Sequence, residues 1–331
     1  MKTWIYVFLL IFGTVLTGCL NRHPKIGFLI HSYDSPRWQN DAKYFTEEVT
    51  RLNGKALIKE AGNDQNVQLK QAGELINEGV SVLVVVPVDQ YAAGRIVSLA
   101  HDNGIKVIAY DRMINSCPLD YYVSSDNIKI GELQATYISR NVPEGNYALI
   151  GGPLTDNNSR MIFVGQMNVL DPLRANGKIN IAFKGFARKW SVEEGYRLAV
   201  NALDSTNNNI SAMLCGNDAM AVGAIKALKE RALEGKVAVA GQDADLYNIQ
   251  EILAGNQSMT VYKRIRTMAT TAAELAVELS RNKPVKFSDM TIDNGNRLVR
   301  TYLVDAIPVD VNNIKMTVVA EGFQQENEIF K

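Results

Sequence analysis

The sequence predicts an α/β protein with two doubly wound, Rossmann-like lobes joined by a three-segment hinge. Two observations support this fold class. Apolar runs typical of buried parallel strands alternate with amphipathic helical segments from residue 25 onward, and the same alternation restarts near residue 126. The crevice between two such lobes is the expected binding place.

Composition limits the function classes. The chain has 331 residues, 47% hydrophobic and 21% charged, which is long enough for two separate cores. Lys plus Arg and Asp plus Glu each number 35, so the formal net charge is zero. Because there is also no long basic run, nucleic acid is not an expected partner.

The amino terminus has the pattern of an export signal. Lys2 precedes an apolar run over residues 4–15, which is too short to cross a bilayer comfortably. The sequence Leu-Thr-Gly-Cys at 16–19 resembles the bacterial lipobox. We therefore expect a lipoprotein signal peptide over residues 1–19, lipidation of Cys19, and a location in the periplasm or cell envelope with a lipid anchor in the membrane. An ordinary signal with a chance cysteine is the alternative.

The first half of the chain alternates strands with helices. Strands are predicted at 26–30, 55–59, 80–86, 106–110 and 121–124, and helices at 37–52, 69–76 and 92–103. The second half repeats this architecture, with helices at 130–140, 161–175, 192–203 and 219–231 and strands at 146–150, 179–183, 210–214 and 237–240.

The late chain is too small to bury an apolar face alone, so it must pack on the lobes. It contains a strand at 259–262, one amphipathic helix at 265–279 and a strand at 300–304. We expect crossovers near residues 126, 261 and 292. These give an N-terminal lobe of residues 25–125 plus 262–291 and a C-terminal lobe of residues 126–261 plus 292–331. The two remaining cysteines, Cys117 and Cys215, then fall in different lobes, and we expect both to be free thiols.

Polar side chains follow the predicted strands at the edge that faces the crevice. Asp111 and Arg112 come directly after the strand at 106–110. A carboxylate accepts and a guanidinium group donates hydrogen bonds, so the two side by side can bind neighbouring hydroxyl groups of one small polar molecule. A helix cap with a surface ion pair is the alternative at this position.

Similar polar positions recur after other strands. They are Arg37, Asp156, Asn158, Asn217, Asp243 and Lys263. Most of them also have an ordinary explanation: the acids and amides can cap helices, and a single lysine is a surface residue by default. Arg37, at the start of its helix, needs an anionic or hydroxylated partner. In the pairs Asn217 with Asp218 and Asp243 with Asp245, one member could simply cap the next helix.

Trp190 differs in kind from these polar residues. An aromatic face offers an apolar plate to the C–H side of a sugar ring, while the hydroxyl edges go to Asp, Asn and Arg. A buried anchor of its own helix is the alternative.

Taken together, these segments resemble the periplasmic sugar-binding proteins of ribose-type ABC importers, the D-xylose-binding group in particular. The motifs run in the same order from about Lys25 to Phe323. They are Lys25-Ile26-Gly27, Arg37-Trp38-Gln39, Tyr110-Asp111-Arg112-Met113-Ile114-Asn115, Asp126-Asn127, Gly131-Glu132-Leu133-Gln134-Ala135, Gly165-Gln166-Met167, Asn217-Asp218-Ala219, Gly241-Gln242-Asp243-Ala244-Asp245 and Met259-Thr260-Val261-Tyr262-Lys263. The segment over residues 31–36 departs from the family pattern, which carries more charge there.

The resemblance implies a receptor of the periplasmic binding protein type 1 family that closes on one free monosaccharide, a pentose and first of all D-xylose. It implies hydrogen bonds from Arg37, Asp111, Arg112, Asp156, Asn158, Asn217, Asp243 and Lys263, and stacking by Trp190. It also implies a monomer without cofactor or metal that delivers sugar to the permease of an ABC importer. A receptor that presents the sugar to a membrane sensor kinase is the alternative.

Two other function classes are less compatible with the sequence. The three histidines are scattered, and there is no phosphate-binding glycine loop or paired-cysteine metal spacing, so an enzyme is not expected. A glycosidase that uses Asp111, Asp156 or Asp243 as acid and base is the enzymatic alternative. A regulator of the lactose-repressor kind would need a DNA-reading helix pair ahead of the core, where this sequence has a signal.

Overall fold

The structure is a computed structural model that describes residues 23–281, 285 and 288–330. The signal peptide expected over residues 1–19, with its lipidation at Cys19, lies outside these residues. Within the described residues, no helix combines the length and the apolar character that a membrane crossing requires.

Short strands alternate with helices along almost the whole described chain. The strands are β1 (Lys25–Ile30), β2 (Lys55–Glu60), β3 (Val82–Val85), β4 (Lys106–Tyr110), β5 (Tyr121–Ser125), β6 (Gly145–Gly151), β7 (Ile179–Phe186), β8 (Ala212–Cys215), β9 (Ala238–Ala240), β10 (Thr260–Lys263), β11 (Thr291–Asp293), β12 (Leu298–Val304) and β13 (Ala306–Val309).

The helices lie between these strands. They are α1 (Pro36–Arg51), α2 (Gln65–Asn77), α3 (Gly94–Asp102), α4 (Asn127–Asn141), α5 (Asn157–Ala175), α6 (Val192–Ser205), α7 (Asp218–Glu230), α8 (Leu246–Leu253), α9 (Ile265–Ser280) and α10 (Glu326–Ile329), with a π-helical turn at Lys315–Val319.

Most of these strands form two sheets, one in each lobe. The first has the order β11-β12-β5-β4-β3-β1-β2 and is parallel except for the antiparallel pair β11 and β12. The second has the order β7-β6-β8-β9 and is parallel throughout. β10 and β13 pair as a two-stranded antiparallel ribbon. The predicted arrangement of two doubly wound α/β lobes is therefore confirmed.

Helices cover both faces of each sheet, which explains the nearly continuous apolar strands. Every residue of β3 is buried, as parallel strands require when both faces are covered. One face of the first sheet packs on α1 and α9 through residues such as Phe45 and Met268. The opposite face packs on α2 and α3 through Leu75 and Ile96. Because the strands of each sheet run parallel, apart from β11, their carboxyl ends lie at one edge.

The third crossover between the lobes lies further along the chain than expected. The chain leaves the first sheet after β5 and returns to it with α9, which packs on α1. The expected division at residue 292 is wrong, because β12 pairs in parallel with β5 inside the first sheet. The chain enters the second lobe only after β12, where β13 pairs with β10. The third crossing is thus near Asp305.

Both described cysteines are buried free thiols in different lobes. Cys117 belongs to the core on the α2 and α3 face of the first sheet. Cys215 ends β8 in the second sheet.

Candidate ligand-binding site

A cavity of about 410 Å³ lies between the two lobes, at the carboxyl ends of both sheets. This volume is within the range of small-molecule sites. Every position that the sequence singles out lines the cavity, namely Arg37, Asp111, Arg112, Asp156, Asn158, Trp190, Asn217, Asp243 and Lys263. The structure therefore brings the predicted positions together in one place.

Asp111 is held in an unusual backbone conformation at the end of β4. Its φ of +62° lies in the left-handed region, which few residues other than glycine adopt. Its N–H donates to the carbonyl of Val123 at 2.8 Å. Its own carbonyl accepts hydrogen bonds from the hydroxyls of Tyr122, at 2.9 Å, and Ser124, at 2.7 Å. These bonds fix the backbone of Asp111 in this conformation.

Arg37 lies in the first turn of α1, where Pro36 occupies the first helical position. Its guanidinium group is buried among three carboxylates. Nη2 lies 2.6 Å from Asp111, Nε lies 3.3 Å from Asp41, and Nη1 lies 3.5 Å from Asp243. Burial lowers the pKa of Arg37, but these acids, led by Asp111, outweigh it and raise the pKa well above its ordinary value. Arg37 is therefore a permanent cation that joins the two lobes.

Lys263 is a second buried cation in the same cluster. Its Nζ lies 3.5 Å from carboxylate oxygens of both Asp111 and Asp243. Burial raises the pKa of Asp111, but the charges of Arg37 and Lys263 outweigh burial and hold that pKa well below its ordinary value. Asp111 is therefore ionised throughout the physiological pH range.

Arg112 and Asp156 make a second contact between the lobes. The Nε of Arg112 lies 2.9 Å from Oδ2 of Asp156, which also accepts a hydrogen bond from the indole N–H of Trp190 at 3.0 Å. The other oxygen, Oδ1, accepts the backbone N–H of Asn158 at 3.0 Å and so caps α5. Asp156 is thus a helix cap and a member of the site at once.

Trp190 lies flat against backbone that carries no side chain. A Cβ atom added to Gly152 would come within 2.2 Å of the indole Cη2, and one added to Gly216 within 2.8 Å of Cζ3. The half-buried ring also packs on both apolar cores of the second lobe. The ring is therefore anchored in the lobe and lines the cavity at the same time.

Two asparagines contribute in different ways. The Nδ2 of Asn158 donates to the Oδ1 of Asp111 at 3.0 Å, and Oδ1 of Asn158 accepts from Asn127. Asn217 caps α7 through a 3.0 Å bond from the N–H of Met220. The cap leaves the amide N–H groups as the donors that Asn217 can offer to a ligand.

Several lining residues were not predicted from the sequence. Trp38 is buried in the core of the first lobe and also lines the cavity. The guanidinium carbon of Arg37 lies 4.3 Å from its ring centre and that of Arg112 lies 5.8 Å away, within cation–π range. His31 lines the cavity as well and lies against the Trp38 ring. Its position directly after β1 was the available signal.

The cavity is lined by charged side chains that are paired with one another and by aromatic rings. Over residues 23–281, 285 and 288–330, no group of three or more His, Cys, Asp or Glu side chains is arranged to hold a metal ion. The charged groups and the indole together offer donors, acceptors and one apolar plate, which matches the two kinds of surface of a sugar ring.

Comparisons with known proteins agree with this arrangement. A family model described as a periplasmic binding protein domain matches residues 26–284. The chain is 43% identical to a D-xylose-binding periplasmic protein of Haemophilus influenzae over 92% of both chains, and 44% identical to the Escherichia coli protein of the same name, also over 92% of both. An ABC transporter solute binding protein of Clostridium phytofermentans with bound β-D-glucose has a similar fold, with a TM-score of 0.85 and 27% identity, over 92% of this chain and 99% of that one. The fold is that of periplasmic binding protein type 1, and the chain belongs to the periplasmic binding protein domain family.

Proposed function

We propose that this protein captures one free monosaccharide, D-xylose first among the candidates, between its two lobes and delivers it to an ABC importer. The proposal is supported by the names of the two relatives at 43% and 44% identity and by the composition of the cavity wall. The residues that we assign to sugar binding are Arg37, Asp111, Arg112, Asp156, Asn158, Trp190, Asn217, Asp243 and Lys263.

The observation that carries the proposal is that charged groups from both lobes meet around one cavity. Asp111 comes from the first sheet, Asp243 comes from the second, and Arg37 contacts both. A ligand that bonds to both sets makes all its contacts only when the lobes are together, so it shifts the population toward the closed form. Hydrogen bonds to charged groups are stronger than hydrogen bonds between neutral groups. They therefore suit a small ligand that has little apolar area to bury.

The charge pairs of Asp111, Asp156 and Asp243 argue against their use in hydrolysis of a sugar. A glycosidase needs one carboxylic acid that is protonated near neutral pH. The pKa of Asp111 is lowered despite burial, since Arg37 and Lys263 stabilise its charge. Asp156 and Asp243 are each paired with a cation as well. These pairs favour capture of the sugar over general acid catalysis.

Calorimetry of the mature chain against D-xylose, ribose, arabinose, glucose and allose tests the proposal. We expect D-xylose to bind with a dissociation constant in the micromolar range, which corresponds to about −8 kcal/mol. Tighter binding of another sugar would correct the ligand but keep the receptor function. Absence of binding to all five would refute the proposal.

Delivery to an importer is tested in cells. Deletion of the gene is expected to reduce uptake of labelled D-xylose, and a plasmid copy is expected to restore it. Unchanged uptake together with lost sugar-induced transcription would favour presentation to a sensor kinase instead.

We also propose that the protein is exported, lipidated at Cys19 and anchored to a membrane. The support is the lipobox-like sequence at 16–19. Labelled palmitate is expected to appear in the wild-type protein and to be absent from Cys19→Ser. Equal labelling of the two proteins would refute the anchor.

A further inference from the structure

His31 lies directly after β1, in the segment that departs from the family pattern. It is 5% exposed and lines the cavity. Its Nε2 lies 3.2 Å from Nη2 of Arg112. A guanidinium group can only donate hydrogen bonds, so this Nε2 must accept, and the ring must be the neutral tautomer with its proton on Nδ1.

Each nitrogen of the Arg112 fork has a different partner. Nη2 donates to His31, and Nη1 donates to the carbonyl of Pro87 at 3.4 Å. Both partners follow strands of the first lobe, as Arg112 itself does. Only Nε reaches across the crevice, to Asp156 at 2.9 Å. The contacts within the first lobe therefore do not depend on the second lobe.

We propose that His31 is a positioning residue that holds Arg112 in its binding orientation before the lobes close. The proposal rests on the proposed sugar-binding function. With the guanidinium group fixed in advance, closure does not have to order a long side chain, and the ordering of such side chains is one of the main costs of binding. His31 thus acts on the sugar through Arg112.

The surroundings of His31 make this role dependent on its charge. Burial lowers the pKa of His31 most strongly, Arg112 and Arg37 lower it further, and Asp111 alone opposes them, so the pKa lies well below 6.5. The ring of Trp38 packs edge-on, at 4.6 Å between ring centres. Protonation would remove the acceptor at Nε2 and place a second cation against Arg112. At acid pH, Arg112 is therefore expected to lose its hydrogen bond to His31.

Two variants separate positioning from a structural role. His31→Leu removes the acceptor and is expected to weaken D-xylose binding about tenfold at neutral pH, since bonds to charged groups are among the stronger ones. His31→Gln keeps an acceptor oxygen near the place of Nε2 and is expected to restore most of the affinity. Melting of both variants without sugar shows whether they fold.

The pH profile gives a second readout. Affinity is measured from about pH 8 down to about pH 4, because the pKa of His31 lies well below the ordinary histidine value and its ring gains a proton only toward the acid end. Asp41 and Asp245, whose pKa values are raised by burial to about 6 and about 7, affect wild type and His31→Gln alike. We expect the wild type to lose more affinity toward the acid end than His31→Gln does. Equal affinity of wild type and His31→Leu, with identical profiles for all three proteins, would overturn the proposal.

Imidazole nitrogen shifts of the sugar-free protein test the same contact without any ligand. An unprotonated Nε2 on His31 at neutral pH is expected, and a protonated Nε2 would refute the role. If no sugar binds to the wild type, the proposed function fails while this spectrum still decides the His31–Arg112 contact.

Discussion

Asp111 and Asp243 occupy corresponding places in the two lobes and share one lysine. Each follows a strand of a parallel sheet, and each has a positive φ, +62° and +108°. Each also has a carboxylate oxygen 3.5 Å from Nζ of Lys263. The cluster therefore depends on both lobes, and a change in one acid alters the charge that faces the other.

Asp111→Asn is expected to lower the affinity for sugar strongly. Asparagine tolerates the left-handed conformation, whereas alanine would add backbone strain at this φ. The loss of a charged partner is expected to weaken binding about 10- to 100-fold in calorimetry. The sugar-free protein is expected to lose about 3 kcal/mol of unfolding free energy, because Arg37 and Lys263 stay buried with one carboxylate fewer. The exposed Asp293→Asn is the control, and sugar binding by Asp111→Asn equal to that of the control would remove Asp111 from the site.

Trp190 is expected to contribute both a flat face and an N–H donor. Trp190→Phe keeps an aromatic face but loses the bond to Asp156, and Trp190→Leu loses both. Calorimetry should rank the affinities as wild type, then Phe, then Leu, with the Leu variant weakened by more than tenfold, because a face-to-ring contact and a hydrogen bond are each about 1 kcal/mol. If Leu binds sugar as well as Phe, the stacking role is refuted.

Gly152 is expected to matter through the space that it leaves for the indole. Gly152→Ala would place Cβ within 2.2 Å of the Trp190 ring and push the ring toward the cavity. Weaker sugar binding and altered tryptophan fluorescence should result. Gly73→Ala, in the helix α2, is the matched control, since the nearest atom to the added Cβ would be 3.9 Å away. Because alanine favours a helix more than glycine does, this variant should raise the unfolding free energy by about 0.5–1 kcal/mol. Unchanged affinity in Gly152→Ala would show that the ring position is not critical.

Much of the architecture could be predicted because parallel strands covered on both faces have a distinctive composition. β4 was predicted at 106–110 and lies at Lys106–Tyr110. The positions that line the cavity could also be located, since strand ends of a parallel sheet meet at one edge. Asp111 and Asp243 are far apart in the chain, yet both line the cavity.

The parts that could not be predicted depend on long-range pairing. β12 has the same apolar pattern whichever sheet it joins, so the boundary at 292 could not be distinguished from the crossing near Asp305. The helix α8 (Leu246–Leu253) was not predicted, because its eight residues are fewer than the window over which helical periodicity can be distinguished. Asp41 lies one helical turn after Arg37, but only the fold shows that it is fully buried and bonded to Tyr110.

Asp245→Asn is expected to change how stability depends on pH. Burial and the charge of Asp243 raise the pKa of Asp245 to about 7, against about 4 for an unfolded carboxyl group. Between these values the folded state binds a proton that the unfolded state lacks, so this stabilising contribution is present at acid pH and is lost as pH rises through about 7. The variant cannot ionise, and its unfolding free energy at about pH 8 should exceed that of the wild type by up to about 4 kcal/mol and converge with it near pH 4. Asp64→Asn, which replaces an exposed cap of α2 by an equally good one, should follow the wild-type curve in urea unfolding at each pH. A constant difference between Asp245→Asn and the wild type at all pH values would mean that Asp245 ionises in the folded protein as it does in the unfolded chain.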